Sequence, residues 1–141
     1  MSLEILYTAE SSVVGGREGH VKSTDGIIDM KVSMPKGMGG AGEANTNPEQ
    51  LFSAGYAACF DGALNLVARM GKHRVETKTI AKVSIGKNAE GGFDICADIT
   101  SEIKGVSQEI ADELMNTAHQ VCPYSRATRG NIDVTIKAIA L

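Results

Sequence analysis

The chain has 141 residues, a length typical of one domain, and with 43% hydrophobic and 22% charged residues it is too apolar for a disordered protein. A net charge of −3 argues against a nucleic-acid groove or an anionic membrane surface as partner, and 4% aromatic residues argue against a base-stacking platform. We therefore expect a single domain over residues 1–141 that binds neither nucleic acid nor a membrane.

The first residues of the chain and its cysteine content indicate in which cellular compartment the protein is located. Residues 1–4 lack the positive and apolar stretches of a signal peptide, and three cysteines without such a signal favour a reducing environment. The apolar run over residues 51–70 carries three polar residues on one helical stripe, which favours a core helix over a membrane span. These residues are Asp61, Asn65 and Arg69. We expect a cytoplasmic protein.

The first third of the chain reads as strands and turns. Alternating apolar residues predict a strand at residues 3–7, the start of another at Val21, and a half-buried strand over residues 28–34. The glycine-rich segment 15–19 and the segment 24–26 predict turns. A glycine-rich loop then lacks the Lys-Ser/Thr pair of a phosphate-binding loop, which excludes that motif.

The strongest helix signal comes next. Asn47 is a favourable N-cap, Pro48 suits the first helical position, and Gln50 completes a box-like start. The helix should run to about Met70 and end at Gly71. It is apolar nearly all round, so protein must surround it. A domain of this size can hardly do so alone, and we infer help from a second subunit.

The last part of the chain predicts two strands, a helix and a final strand. The strands cover residues 81–85 and 93–99, Ser107 caps the helix, and Pro123 ends it. The final strand covers residues 132–136. Hairpins and helices are thus segregated along the chain, which predicts an α+β fold with largely antiparallel sheets.

The three cysteines differ in their expected surroundings. Cys96 lies among aspartates on the outer face of its strand, and we expect it to be a poor nucleophile. Cys59 lies on an apolar helix face between Gly55 and Gly62, and either it is a small core residue or the glycines leave room for a substrate or a second sulfur. Cys122 extends the apolar stripe of the second helix, either as a packing residue or facing the first helix.

Metal binding is not expected at these cysteines. There is no Cys-x-x-Cys pair, and the three histidines stand at no ligand spacing. The chemistry that remains for two inward thiols is a reversible disulfide.

Five short segments resemble a known family. Residues 45–52 (NTNPEQLF) and 55–60 (GYAACF) resemble the signature of the organic hydroperoxide resistance proteins, Ohr, of the Ohr/OsmC superfamily. Residues 121–125 (VCPYS) and 127–131 (ATRGN) are similar to the second motif of that family, and residues 15–19 (GGREG) resemble its arginine loop. The match covers the full chain in order and spacing. Two departures replace no functional position, namely Ser53 for the common Ala and Arg126 for the common Asn.

The resemblance implies an intertwined homodimer with long buried central helices and active sites at the subunit interface. It implies a thiol peroxidase in which Cys59 is the peroxidatic cysteine, Cys122 the resolving cysteine, and Arg17 with Glu49 the activating pair. It also implies dihydrolipoamide, presented on lipoylated proteins, as reductant, and no bound metal or organic cofactor. The apolar and aromatic neighbours of Cys59 favour alkyl or aryl hydroperoxides as substrates over hydrogen peroxide.

The requirements of a thiolate at Cys59 agree with the role of Arg17, whereas the position of Glu49 raises a geometric difficulty. Apolar surroundings alone raise the pKa of a thiol such as Cys59, so a cation is required, and Arg17 suits. Glu49 stands ten residues before Cys59, about 15 Å along a helix, so the two cannot touch within one helix. If the helices of a dimer pack antiparallel, Glu49 of one chain approaches the site of the other.

Two alternatives stay open. An OsmC-branch peroxidase would have the same fold and chemistry with another substrate preference. A non-catalytic dimer would bind a hydrophobic small molecule in the interface cleft, with inert cysteines of ordinary or raised pKa.

Overall fold

The computed structural model describes residues 2–141, which divide into two compact units with the boundary after Leu51. The single domain expected over residues 1–141 stays a prediction. The first unit contains a three-stranded antiparallel sheet in the order β1-β2-β3. The strands are β1 (Ser11–Val14), β2 (His20–Ser23) and β3 (Asp29–Lys31).

The turns of the first unit are confirmed, whereas its first strand is displaced. Residues 3–7 form no strand, and the sheet begins at Ser11 instead. The side chains in this stretch are exposed, so the alternation of Leu3, Ile5 and Tyr7 finds no sheet to pack on within its own unit. A 3-10 turn (Gly16–Glu18) joins β1 to β2, with Gly15 in the left-handed region at φ 86°.

Helix α1 (Pro48–Met70) begins where the sequence predicts. The Asn47 side chain accepts a hydrogen bond from the Gln50 backbone N–H at 2.8 Å, which satisfies a free donor of the first turn. The helix ends at Gly71, also as predicted. Within residues 2–141, α1 is the one helix long and apolar enough to cross a membrane, a test that core helices of soluble proteins also pass.

The second unit packs helices against a mixed sheet. Strands β4 (Glu76–Lys87) and β5 (Phe93–Lys104) are antiparallel, and β6 (Val134–Ala140) pairs with β5 in the parallel direction. The parallel pairing departs from a purely antiparallel arrangement because helices intervene between β5 and β6 and return the chain to the start of β5.

Two helices occupy that crossover. Helix α2 (Gln108–Val121) has the predicted N-cap, because the Ser107 hydroxyl accepts from the Ile110 backbone N–H at 3.2 Å. Pro123 ends α2, as expected, but it also begins a short helix α3 (Pro123–Thr128) that the sequence analysis missed. Proline suits a first helical position as well as a helix end, so its presence alone does not distinguish the two.

The core of the second unit lies between α1, α2 and the inner face of the sheet. Its fully buried side chains include Tyr56, Phe60, Leu64, Ile99 and Ile103. The polar stripe of α1 meets the sheet through hydrogen bonds: Thr79 Oγ1 donates to the Asp61 carboxylate at 2.8 Å, and Asn65 Nδ2 donates to Thr77 Oγ1 at 2.8 Å. Within this stripe Asp61 and Asn65 therefore join α1 to β4, whereas Arg69 is exposed.

Candidate active site

Cys59 and Cys122 meet inside the second unit. Their Sγ atoms lie 3.7 Å apart, with the Cys122 thiol donating to Cys59, and both are free thiols. Cys122 is fully buried and Cys59 partly so. A disulfide bond is about 2.05 Å long, so the sulfurs are separate but within reach of bonding after a small movement.

The end of one helix and the start of the next hold Cys122 in place. Its backbone N–H donates to the Ala118 carbonyl at 2.8 Å, and its carbonyl accepts from the Arg126 backbone N–H at 3.0 Å. Cys122 is thus both the C-cap residue of α2 and the N-cap residue of α3. Two helices fix its backbone, which aims the thiol at Cys59.

Burial is the largest influence on the Cys59 thiol. It raises the pKa of Cys59, while a hydrogen bond from the Tyr124 backbone N–H lowers it and the neighbouring Cys122 thiol raises it. This is the direction expected for a thiol on an apolar helix face. The Tyr124 N–H is a donor already directed at the sulfur, and it would stabilise a thiolate once one formed.

Aromatic rings cluster beside the two thiols. The ring centres of Phe52, Tyr56 and Tyr124 lie 5.7 to 6.1 Å from one another. Gly55 makes room for the ring of Tyr124, not for a substrate or a second sulfur. Gly62 has open space around it within the chain. The expectation that the glycines leave room for a substrate or a second sulfur is therefore wrong at Gly55.

Cys96 stands apart from this pair. Its side chain is exposed on β5, on the face opposite to the buried Ala97 and Ile99. Cys96 therefore lies on the outer face of its strand, as the sequence predicts.

Arg17 and Glu49 form an ion pair within the first unit. The guanidinium donates from Nη1 and Nη2 to the two carboxylate oxygens at 2.9 and 2.7 Å, a bidentate geometry. The Arg17 hydrogen bond lowers the pKa of Glu49, against the opposing effect of burial. Glu49 lies in the first turn of α1, where a negative charge is also favourable. The pair leaves Arg17 about one-third exposed.

A largely buried polar network lies on either side of Cys122 along the chain, and the sequence alone did not predict it. His119 Nδ1 lies 2.8 Å from Ser125 Oγ, and Ser125 Oγ lies 2.8 Å from the Tyr56 hydroxyl. Burial, followed by the Arg129 charge, lowers the pKa of His119. The only signal in the sequence was that His119 and Ser125 stand three residues before and after Cys122. Because histidine and serine are common on protein surfaces, this spacing did not predict a network. Within residues 2–141 we find no cluster of ligands suited to a metal ion.

Comparison with known proteins places this arrangement in a family. The family described as OsmC-like protein matches residues 39–137. The organic hydroperoxide resistance protein of Xanthomonas axonopodis pv. citri is 48% identical over 135 residues, covering 94% of each chain. OhrA of Bacillus subtilis is 50% identical over 135 residues, covering 94% of this chain and 95% of its own.

Solved structures agree in fold as well as in sequence. The crystal structure of an organic hydroperoxide resistance protein from Elizabethkingia anophelis, with thiocyanate bound, has a TM-score of 0.94 at 48% identity and covers 99% of this chain and 100% of its own. The chain belongs to the OsmC-like family and, within it, to the organic hydroperoxide resistance proteins. The resemblance and the α+β fold class inferred from sequence are thereby confirmed.

Proposed function

We propose that this protein is a cysteine-based peroxidase that reduces organic hydroperoxides to alcohols in defence against oxidative stress. The observation that carries the proposal is the 3.7 Å contact between Cys59 and Cys122. The names of the relatives, organic hydroperoxide resistance proteins, support the substrate class.

The reaction needs two steps at sulfur. The Cys59 thiolate attacks the distal oxygen of the hydroperoxide, the O–O bond breaks, and the alkoxide takes up a proton to leave as the alcohol. Cys59 is then a sulfenic acid. The Cys122 thiol condenses with it, which forms the S–S bond and releases water. A dithiol of the dihydrolipoamide type returns both cysteines to thiols and is itself oxidised to a cyclic disulfide.

The surroundings of the thiols favour an alkyl, aryl or fatty-acid hydroperoxide. The ring of Phe52 is partly exposed and that of Tyr124 is exposed, so both offer apolar surface, and Tyr124 adjoins Cys59 through its backbone N–H. The Tyr56 ring, which both contact, is fully buried. A hydrocarbon group gains free energy by burial against such rings, whereas hydrogen peroxide has none to bury.

Arg17 and Glu49 are assigned the activating role that their family motifs imply. A thiolate at Cys59 requires a favourable charge because burial opposes it. Arg17 is always charged, and the bidentate bond to Glu49 orients its guanidinium. We propose that it lowers the pKa of Cys59 and stabilises the departing oxygen, in a cytoplasmic homodimer. Which protomer supplies Arg17 and Glu49 to each site follows from the geometry of that dimer.

The decisive experiment counts thiols. Reduced protein is mixed with limiting cumene hydroperoxide, free thiols are counted, and the disulfide is mapped by mass spectrometry. We expect two thiols to be lost per chain as a Cys59–Cys122 bridge, with Cys96 unchanged. Cys59→Ser should lose turnover, Cys122→Ser should consume one equivalent and then stop, and Cys96→Ser should match the wild type.

Two other outcomes would replace the proposal. If no thiol is lost, the alternative of a dimer that binds a hydrophobic ligand through inert cysteines gains support. Turnover that favours hydrogen peroxide over cumene hydroperoxide would indicate a different substrate preference, as in the OsmC branch. Recycling is tested separately, by comparing dihydrolipoamide with glutathione as reductant.

A further inference from the structure

A chain of hydrogen bonds, buried except at its partly buried His119 end, runs through four polar side chains of the second unit. From His119 it passes to Ser125 and then to Tyr56, each step 2.8 Å long. The Tyr56 hydroxyl also lies 3.1 Å from Thr128 Oγ1. Tyr56 and Ser125 are fully buried. A satisfied network of this kind holds its segments in one arrangement, because any other leaves buried polar groups without partners.

The network is arranged around the two thiols. His119 and Ser125 stand three residues before and three residues after Cys122, so their hydrogen bond closes a loop around that cysteine. Tyr56 stands three residues before Cys59, about one helical turn away. The Tyr56–Ser125 bond therefore joins the same two segments as the Cys59–Cys122 contact, about one turn along.

We propose that Tyr56, Ser125 and His119 are positioning residues that hold the Cys122 thiol ready for Cys59. The inference rests on the proposed function. To bond, the sulfurs must close from 3.7 Å to the usual disulfide length, a movement of about 1.7 Å. A fixed junction between α2 and α3 needs only that shift, whereas a loosened junction must also be ordered when the bond forms.

Positioning decides between two fates of the Cys59 sulfenic acid. Condensation with Cys122 gives the disulfide and water. Attack on a second hydroperoxide transfers another oxygen to sulfur, which gives the sulfinic acid and a second alcohol. The network thus favours the reversible product over the irreversible one.

The first test needs no hydroperoxide. Tyr56→Phe removes one hydroxyl and keeps the ring, and its disulfide equilibrium is measured in mixtures of reduced and oxidised dithiothreitol. We expect the equilibrium constant for the Cys59–Cys122 bond to fall about fivefold or more, because a junction loosened by the loss of a buried hydrogen bond must be ordered when the disulfide forms. Thr79→Val is the matched control, since it removes another hydroxyl with two hydrogen bonds in the same unit. Its constant should stay within about twofold of the wild type.

The second test follows the products of oxidation. With excess cumene hydroperoxide, Ser125→Ala should yield a larger share of Cys59 sulfinic acid than the wild type, read by mass spectrometry. His119→Leu should behave likewise, and His119→Gln, which keeps a hydrogen-bonding group, should restore part of the disulfide. A purely structural role would lower the melting temperature without moving this ratio.

Failure of the inference and failure of the proposed function give different results. If wild-type protein forms no Cys59–Cys122 bond in either experiment, the proposed function fails. If the wild type forms it and Tyr56→Phe has the same constant as Thr79→Val, the positioning role is overturned and the peroxidase proposal stands. Should Ser125→Ala not fold, the Tyr56→Phe measurement decides alone.

Discussion

The ring of Tyr124 lies directly against Gly55. A Cβ atom at Gly55 would stand 3.0 Å from the Tyr124 hydroxyl and 3.2 Å from a ring carbon, closer than ordinary van der Waals contact. At Gly62, seven residues further along the same helix, a Cβ atom would meet nothing within 4 Å. Two interior glycines of α1 therefore differ in what they permit, although each lowers helix stability by a similar amount.

Alanine at these two positions should separate the effects. We expect Gly62→Ala to raise the free energy of unfolding by about 1 kcal/mol through helix propensity. Gly55→Ala should gain less or lose stability, because the Tyr124 ring must shift. The same shift should slow the reaction with cumene hydroperoxide, since the Tyr124 backbone N–H bonds to Cys59. Chemical denaturation and stopped-flow kinetics measure both. Equal stabilisation by the two variants would contradict the close approach at Gly55.

The Asp61 carboxylate should be important for stability. It accepts hydrogen bonds from Thr79 Oγ1 at 2.8 Å and Asn65 Nδ2 at 3.1 Å, and both donors are partly buried. Asp61→Ala leaves Thr79 without this acceptor, so we expect a loss of about 2 kcal/mol in denaturant unfolding. Asp112→Ala, on the exposed face of α2, is the control and should change stability by less than about 0.5 kcal/mol. Equal losses of stability in Asp61→Ala and Asp112→Ala would contradict a stabilising role for the partly buried hydrogen bonds of Asp61.

The Arg17–Glu49 pair should make stability depend on acidity. The pKa of Glu49 is lowered in the folded state below its ordinary value of 4.5, so the stabilisation is complete above that pH. It is lost as the pH falls through the lower folded pKa, because the folded carboxylate must then take up a proton. Thermal unfolding between pH 7 and pH 3 should show a steeper loss in wild type than in Glu49→Gln. Parallel profiles would mean that the pair adds nothing to stability.

Replacement of Arg17 should weaken the Cys59 thiolate. If Arg17 activates this thiol as proposed, Arg17→Gln should raise the pKa of Cys59 and slow its alkylation by iodoacetamide at pH 7 severalfold. Cys96 reacts as well, so the measurement is made in the Cys96→Ser background. Arg69→Gln, which removes an exposed arginine from α1, is the matched control. An unchanged rate of alkylation in Arg17→Gln would contradict the proposal that Arg17 activates Cys59.

Local signals in the sequence were sufficient for most helices and strands. Asn47 and Ser107 cap α1 and α2 as predicted, because capping depends on residues a few positions apart. The alternation along β5 correctly placed Cys96 outside. The strand predicted at residues 3–7 was wrong because alternation alone cannot supply a neighbouring strand, and α3 was missed because Pro123 can end or begin a helix.

The sequence by itself determined the candidate thiols and the family, since inward stripes and motif order are properties of the chain. Only the tertiary structure decided that the sulfurs of Cys59 and Cys122 stand 3.7 Å apart and that Tyr56 bonds to Ser125. These pairs are 63 and 69 residues apart, and no local pattern encodes such a distance. It arises from helices and sheet packing around a shared core, where burial also raises the pKa of Cys59.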